Sequence, residues 1–296
     1  NNDPVEIWML TVRNRSKRLR TLNIYTFFEW ALGQSPDWHR EFHKSFIETD
    51  YDPTLHSILA TKRLWEVPTG RGHWNTDWPF VAFHSSSEKP VSFDTDKESF
   101  LGMYGSQSSP AGICESKLSR RKGSWLDHIG SLQNAIKLKP SEEKTIYFTI
   151  GCADSAEQAT ALAKRYHSAK NVDAAFVQMQ ERWNTLLNTV EVSTPDDAMN
   201  VMENTWLKYQ AISGRMWART AYYQTGGAFG FRDQLQDSQL WLFIDPVRTK
   251  HQLQLHAGHQ FKDGSVYHWW HPMSEIGLRN QISDNLLWLP YVMNVY

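Results

Sequence analysis

Cysteine is scarce: Cys114 and Cys152 are the two thiols in 296 residues, too few for a disulfide framework. A chain of this length buries enough surface to fold without covalent staples. A reducing, cytoplasmic setting therefore fits best, although sequence leaves a single Cys114–Cys152 bridge open. An excess of charge of one sign is also missing. Lysine and arginine number 31 against 32 aspartates and glutamates, and no basic block could neutralise a run of phosphates, which argues against nucleic acid as a partner. Long apolar runs are absent too. The stretch from Leu286 to Val292 falls far short of the roughly 20 residues that a membrane helix needs, and no charged-then-apolar leader opens the chain. The expectation is a soluble protein with no membrane contact in this segment. The chain begins at Asn1 without a Met, so it reads as a segment of something longer. Asn14-Arg15-Ser16 fits a glycosylation sequon, a triplet expected by chance at this length.

What the chain has in quantity is tryptophan, 14 residues, many beside His, Arg and Asp rather than inside apolar runs. An aromatic face can cover the C–H face of a pyranose while charged and amide groups bind its hydroxyls. Composition leaves two readings open, a carbohydrate site and a Trp-rich core.

Two halves differ in period. Up to residue 153, alternating β-branched and aromatic residues predict strands over 5–12, 19–28, 57–65, 79–84, 130–138 and 144–150, an antiparallel β-sandwich incomplete at its N-terminus. From Asp154 the period becomes helical. Residues 154–193 read as linker helices, the second with Phe176, Met179, Trp183, Leu186 and Leu187 as its apolar stripe. Residues 194–296 read as helical throughout, opened by the cap and first-turn proline of Thr194-Pro195-Asp196-Asp197. Helices are expected to about Trp217, over 232–243 and over 246–261. The chain stops inside a further helix, so this domain reads as incomplete.

Three clusters could carry chemistry. In Gly226-Gly227-Ala228-Phe229-Gly230-Phe231-Arg232-Asp233-Gln234-Leu235-Gln236-Asp237, a Gly-rich loop feeds a helix. Asp233 and Asp237 stand four residues apart and share a face, with Arg232 beside them. The bland reading is a helix with acids at its positive end. A phosphate loop fits poorly, because the Lys-Ser/Thr ending is missing.

His268-Trp269-Trp270-His271-Pro272 reads as an exposed aromatic platform at a turn. With His251, His256 and His259 nearby, a metal site comes to mind, but the spacings match no zinc signature and structural histidines are commoner. In Ile282-Ser283-Asp284-Asn285-Leu286-Leu287-Trp288-Leu289-Pro290 a lone carboxylate precedes an aromatic helix. Burial beside Leu287 and Trp288 would raise the pKa of Asp284 and keep it protonated, as a glycosidase acid requires. An ordinary helix cap is the alternative.

Taken in this order, the three motifs resemble glycoside hydrolase family 94, which includes phosphorylases of cellobiose, chitobiose, laminaribiose and β-1,2-oligoglucans and the C-terminal region of cyclic β-1,2-glucan synthases. The resemblance implies a β-sandwich joined by linker helices to an (α/α)6 barrel, of which residues 194–296 would be the start. It also implies an inverting phosphorylase in which phosphate replaces the activated water and one carboxyl suffices.

Asp284 would be that acid. Arg232 and Asp237 would hold the donor sugar's hydroxyls, Asp233 would brace Arg232, and Trp269, Trp270 and His271 would shape the pocket. The implied partners are a β-linked glucose disaccharide or oligosaccharide and inorganic phosphate as co-substrate, with no metal or organic cofactor. A homodimer is the state of many relatives. The family's phosphate-binding His and its second Gly-rich loop would fall beyond Tyr296. Two positions depart from the family pattern: Asn285, where a second Asp is common, and Ile282, where several disaccharide phosphorylases carry Trp. Two alternative functions remain, a carbohydrate-binding or chain-length-controlling region of a cyclic glucan synthase and an inverting hydrolase.

Overall fold

The first strand, β1 (Val5–Arg13), packs Trp8 and Val12 on one face and Val5 and Ile7 on the other in the computed structural model, which describes residues 3–33, 44–63, 78–217, 228–272 and 275–296. The described residues fall into two units, one of residues up to Val177 and one from Gln178 onward.

In the first unit β1 is followed by β2 (Arg20–Tyr25), β3 (Phe28–Glu29), β4 (Ile47–Asp52), β5 (Ser57–Lys62), β6 (Trp78–Ser86), β7 (Ser92–Asp96), β8 (His128–Leu138) and β9 (Glu143–Ala153). One sheet has the order β1-β9-β6-β5-β4 and the other the order β2-β8-β3 with β7 also on β8. Every pairing is antiparallel. Side chains of both sheets share one core: Ile47, Ile58, Ala60 and Ala82 meet Phe93 and Leu132. The unit is therefore a sandwich.

The neighbours of Ala82 point the other way. Val81 and Phe83 meet Ala159 and Ala163 of a helix, Ala156–Arg165, whose Ser155 cap accepts the Gln158 amide at 3.2 Å. Period two thus commits one face of the sheet to its partner sheet and the other to helix.

The strands run where alternation predicts, with instructive exceptions. The expected strand over 19–28 breaks at Thr26, whose hydroxyl accepts the Leu132 amide at 2.9 Å and meets His84 Nε2 at 2.8 Å. Of the strand expected over 57–65, residues 64 and 65 lie outside the described residues. Strands β4 and β7 carry acids that mask them in the sequence. All of β7 is buried, and its acids find side-chain donors outside the strand: Ser99 and Ser119 for Asp94, Arg121 for Asp96.

Asn14, the sequon residue, is also structural. It is 5 % exposed and donates to the carbonyls of Arg18, Leu138 and Lys139. Both cysteines are free thiols.

The helices described in this stretch of chain include α1 (Lys97–Leu101), α2 (Ala111–Cys114), α3 (Ala156–Arg165) and α4 (Ala169–Leu187). Early in α4 the buried residues are Val172 and Ala175, while Phe176, expected in the apolar stripe, is 53 % exposed.

In the second unit, Trp183 and Leu186 pack with Ile212 and Trp241. The segment from Asp197 alternates α5 (Asp197–Val201) and α6 (Leu207–Gln210) with wider π turns at Met202–Trp206 and Ala211–Trp217, so it is no uniform α-helix. Asp196 caps it by accepting the amides of Ala198 and Met199. Then come β10 (Phe229–Gly230), α7 (Phe231–Ser238), α8 (Trp241–Ile244), α9 (Pro246–Ala257), β11 (Tyr267–His271), β12 (Ile276–Arg279), a 3-10 turn (Asn285–Leu287) and α10 (Trp288–Val295).

The expectation of a wholly helical second half is corrected by the antiparallel sheet β10-β11-β12. A five-residue run with three aromatic rings suits a pleated surface better than a turn. Among the described residues no helix is long and apolar enough to cross a membrane.

Candidate active site

Helix α7 is the organising element. Phe231, Gln234, Leu235 and Ser238 form its buried face, which leaves Arg232, Asp233 and Asp237 half-exposed along its rim. At its start the Gly230 amide donates to the buried Gln234 Oε1 at 2.6 Å. A Cβ on Gly230 would stand 2.6 Å from Asp233 Oδ2, so the missing side chain is what lets Asp233 fold back against the loop. Gly226 and Gly227 of the loop lie outside the described residues.

Two separate motifs meet at this rim. Arg232 Nη1 donates to Asp284 Oδ2 at 3.1 Å, 52 positions along the chain, and Arg232 Nε lies 3.7 Å from Asp233 Oδ1. Asp284 immediately precedes the 3-10 turn, yet its side chain caps no amide there. That disfavours the cap reading. The expected elevation of its pKa is also corrected: the Arg232 guanidinium first, with help from the Trp288 side chain, holds the carboxyl below the usual range. The reason is exposure. Leu287 is itself 58 % exposed, the Asp284 side chain keeps 46 % of its surface, and an adjacent cation outweighs so little burial.

Asp237 goes the opposite way. Burial pushes its carboxyl up, and Arg215, whose Nε donates to Oδ2 at 2.9 Å, only partly offsets this; the Asp233 charge on the same face adds to the rise. Arg215 was not singled out from sequence. It lies in the π turn Ala211–Trp217, and such turns recur at functional sites, but that widening is invisible in the residue pattern.

The aromatic motif divides between a part-exposed ring and the core. Trp269 is part-exposed and meets His271 edge-on, with ring centroids 5.5 Å apart. His271 is 7 % exposed. Trp270 is fully buried: it packs with Phe231, Leu235 and Leu253 and stacks on His259 at 4.3 Å. The exposed double-Trp platform is therefore corrected. On β11, successive side chains face opposite ways, so two adjacent tryptophans cannot both face a ligand.

His259 and His256 have structural partners. His259 Nε2 lies 2.7 Å from Glu275, and the His256 ring, fully buried and depressed to about 4 by desolvation, meets the Gln252 carbonyl at 2.8 Å.

Asn285 is buried at 1 % exposure, and its amide nitrogen is 3.2 Å from both His268 Nδ1 and Asn280 Oδ1. An Asp here would bury an acceptor against the Asn280 Oδ1 acceptor, which is a physical reason for the amide. Ile282 is 42 % exposed. A hollow of about 300 Å³ lined by Asp284, Leu287, Trp288 and Tyr291 adjoins the carboxylate.

An antiparallel sandwich followed by a helical unit whose rim gathers carboxylates, arginines and tryptophan defines a glycoside-hydrolase-type chain, and comparison with known proteins gives the family. The model described as "Glycosyl hydrolase 94, supersandwich domain" matches residues 1–169, and the one described as "Glycosyl hydrolase 94 superfamily, catalytic domain" matches residues 182–296. The chain belongs to glycoside hydrolase family 94.

It is 33 % identical over 295 residues to the cyclic beta-(1,2)-glucan synthase NdvB of Rhizobium meliloti (strain 1021), covering 99 % of this chain and 10 % of that protein. To the solabiose phosphorylase of Paenibacillus borealis it is 29 % identical over 294 residues, covering 99 % and 36 %. To the N,N'-diacetylchitobiose phosphorylase of Vibrio proteolyticus it is 25 % identical over 319 residues, covering 97 % and 38 %. The chain thus spans a tenth to less than two fifths of the length of these relatives.

Proposed function

We propose that the protein containing this chain is an inverting glycoside phosphorylase that cleaves a β-glucosidic bond with inorganic phosphate to give α-glucose 1-phosphate. Asp284 is the acid that protonates the linking oxygen. Arg232 and Asp237 hold the donor sugar, Asp233 braces Arg232, and Trp269 and His271 shape the pocket with Trp270 behind them in the core. The helices of the second unit are the start of an (α/α)6 barrel. The observation that carries this reading is the 3.1 Å pair of Arg232 with Asp284, which joins two distant motifs around a half-exposed carboxylate. Phosphorylase relatives along nearly the whole chain support it. The free thiols support a reducing compartment.

The test is incubation of the full-length protein with β-linked glucobioses, with and without phosphate, reading glucose 1-phosphate and its anomer. Sugar release indifferent to phosphate would replace this reading with a hydrolase. The relationship to the cyclic glucan synthase favours a second reading, a region that binds β-1,2-glucan and sets its length. Binding of such glucans with no turnover under either condition would select it.

A further inference from the structure

The two rim carboxylates are ordered against the proposed chemistry. Asp284, the acid, is held ionised, and Asp237, the sugar ligand, is pushed toward its neutral form. An ionised carboxylate cannot donate a proton to a leaving oxygen, so something must change when substrate arrives.

We infer that Arg232 is a movable counter-ion: its guanidinium rests on Asp284 and passes to Asp233 and the hydroxyls of an arriving sugar, freeing Asp284 to take a proton. The inference rests on the phosphorolysis reading above.

The geometry offers both seats. The guanidinium is close to Asp284 at 3.1 Å and loose on Asp233 at 3.7 Å. Asp233 is the fixed seat, with 15 % of its side chain exposed and with its position against Gly230 dependent on the absence of a Cβ there. Arg232 and Asp284 keep 37 % and 46 % of their side-chain surface, so a ligand can reach both. Asp284 caps nothing, and its release therefore costs the 3-10 turn no hydrogen bond.

The charged and titratable groups around the pair are few among the described residues. Arg232 and Asp233 come from α7, with the Arg215–Asp237 pair one turn further on. From α10 Trp288 lines the hollow beside the Asp284 carboxylate, and from β11 His268 Nδ1 lies 3.2 Å from the neighbouring Asn285 amide. Arg232 is thus the cation whose displacement matters. A sugar drives the change only by binding the released arrangement more tightly than the paired one.

The proton balance is simple. Solvent supplies a proton to Asp284. A phosphate oxygen's lone pair then forms the new bond to the anomeric carbon. The old C–O bond pair leaves with the linking oxygen, which takes the Asp284 proton, and the regenerated carboxylate recovers Arg232.

Two measurements on the full-length protein test this. The alkaline limb of kcat/KM for the sugar, at saturating phosphate, reports the acid of the free enzyme, and that of kcat reports the acid of the complex. The kcat/KM limb should lie at lower pH than the kcat limb, and Arg232→Gln should move the kcat/KM limb upward and narrow the gap. In parallel, calorimetry of glucobiose binding without phosphate, in buffers of different ionisation heat, should show net proton uptake that Asp284→Asn abolishes.

Coincident limbs, or equal uptake by wild type and Asp284→Asn, overturn the counter-ion role while phosphate-dependent turnover leaves the function standing. Absence of any phosphate-dependent turnover defeats the function itself. If Arg232→Gln turns over too slowly for a profile, the calorimetric comparison decides alone.

Discussion

The two units use charge in opposite ways. In the sandwich, Lys44 lies 2.7 Å from both Glu29 and Asp127, and Lys97 lies 2.8 Å from Glu29, so lysines and carboxylates close on one another. Glu29 is lowered, first by Lys44, as a neutralised cluster should be. In the helical unit, among the described residues, Asp284 pairs with Arg232 and Asp237 with Arg215, and the outcomes diverge, with Asp284 lowered and Asp237 raised. Acid–base chemistry needs carboxylates whose surroundings push their protonation apart, and a closed, neutralised cluster does not supply them. Among the described residues, buried histidines with a depressed pKa are more numerous in the first unit, while the second holds His256, itself lowered to about 4 by burial. His84, His128 and His167 are pushed down in the sandwich to about 3, about 4 and about 4, all chiefly by burial.

The sharpest way to break the comparison is to remove one carboxylate from each unit. Asp284→Asn is expected to cut phosphorolysis of unactivated glucobioses by about 10²–10⁴-fold, the usual reach of a positioned general acid. Asp127→Asn in the closed cluster should leave kcat unchanged. Steady-state rates decide it, and near-normal turnover by Asp284→Asn would move the acid elsewhere, with Asp237 next in line.

Acid should separate the units next. Below the ordinary histidine value of 6.5 the unfolded chain takes up protons that the buried imidazoles refuse. Their contribution is complete above that value and drains away as pH falls toward about 3 for His84 and about 4 for His128. For His84 alone the loss is about 2 kcal/mol by pH ~5. Hydrogen exchange followed from neutral to mildly acidic pH should show sandwich peptides losing protection faster than those of the helical unit. Equal losses would mean these rings are reached by solvent.

A smaller contrast comes from glycine. A Cβ on Gly130 would stand 2.5 Å from the Phe28 ring, and one on Gly277 would stand 2.5 Å from the Trp269 carbonyl. Gly130→Ala should cost about 1–3 kcal/mol of stability with KM unchanged. Gly277→Ala, which displaces the strand bearing Trp269 and His271, should raise KM for the sugar, and the reverse pattern would sink the division into scaffold and site. Smallest is Arg215→Gln. Loss of one charge-assisted hydrogen bond to Asp237 should raise KM about tenfold, and an unchanged KM would make that pair purely structural.

Much of this was legible beforehand. The strand periods, the change to helix near Asp154, and the grouping of Arg232, Asp233 and Asp237 on one helix rim follow from spacing along a single element. What escaped depends on partners from elsewhere. Strand β7 was hidden because its aspartates are strand-averse until Ser99, Ser119 and Arg121 satisfy them. Trp270 looked as available as Trp269 because adjacent residues are equivalent until a strand assigns them opposite faces. Arg215 required a π turn to reach Asp237.

The sequence by itself determined most strands of the first unit, the change to helix, the family motifs and the placing of Arg232, Asp233 and Asp237 on one helix rim, since periodicity and local stereochemistry act within a few residues. The tertiary structure alone decided the protonation bias of Asp284 and Asp237. Electrostatics depends on distance through space, and the arginine that holds Asp284 ionised lies 52 residues away in the chain and 3.1 Å away in the fold.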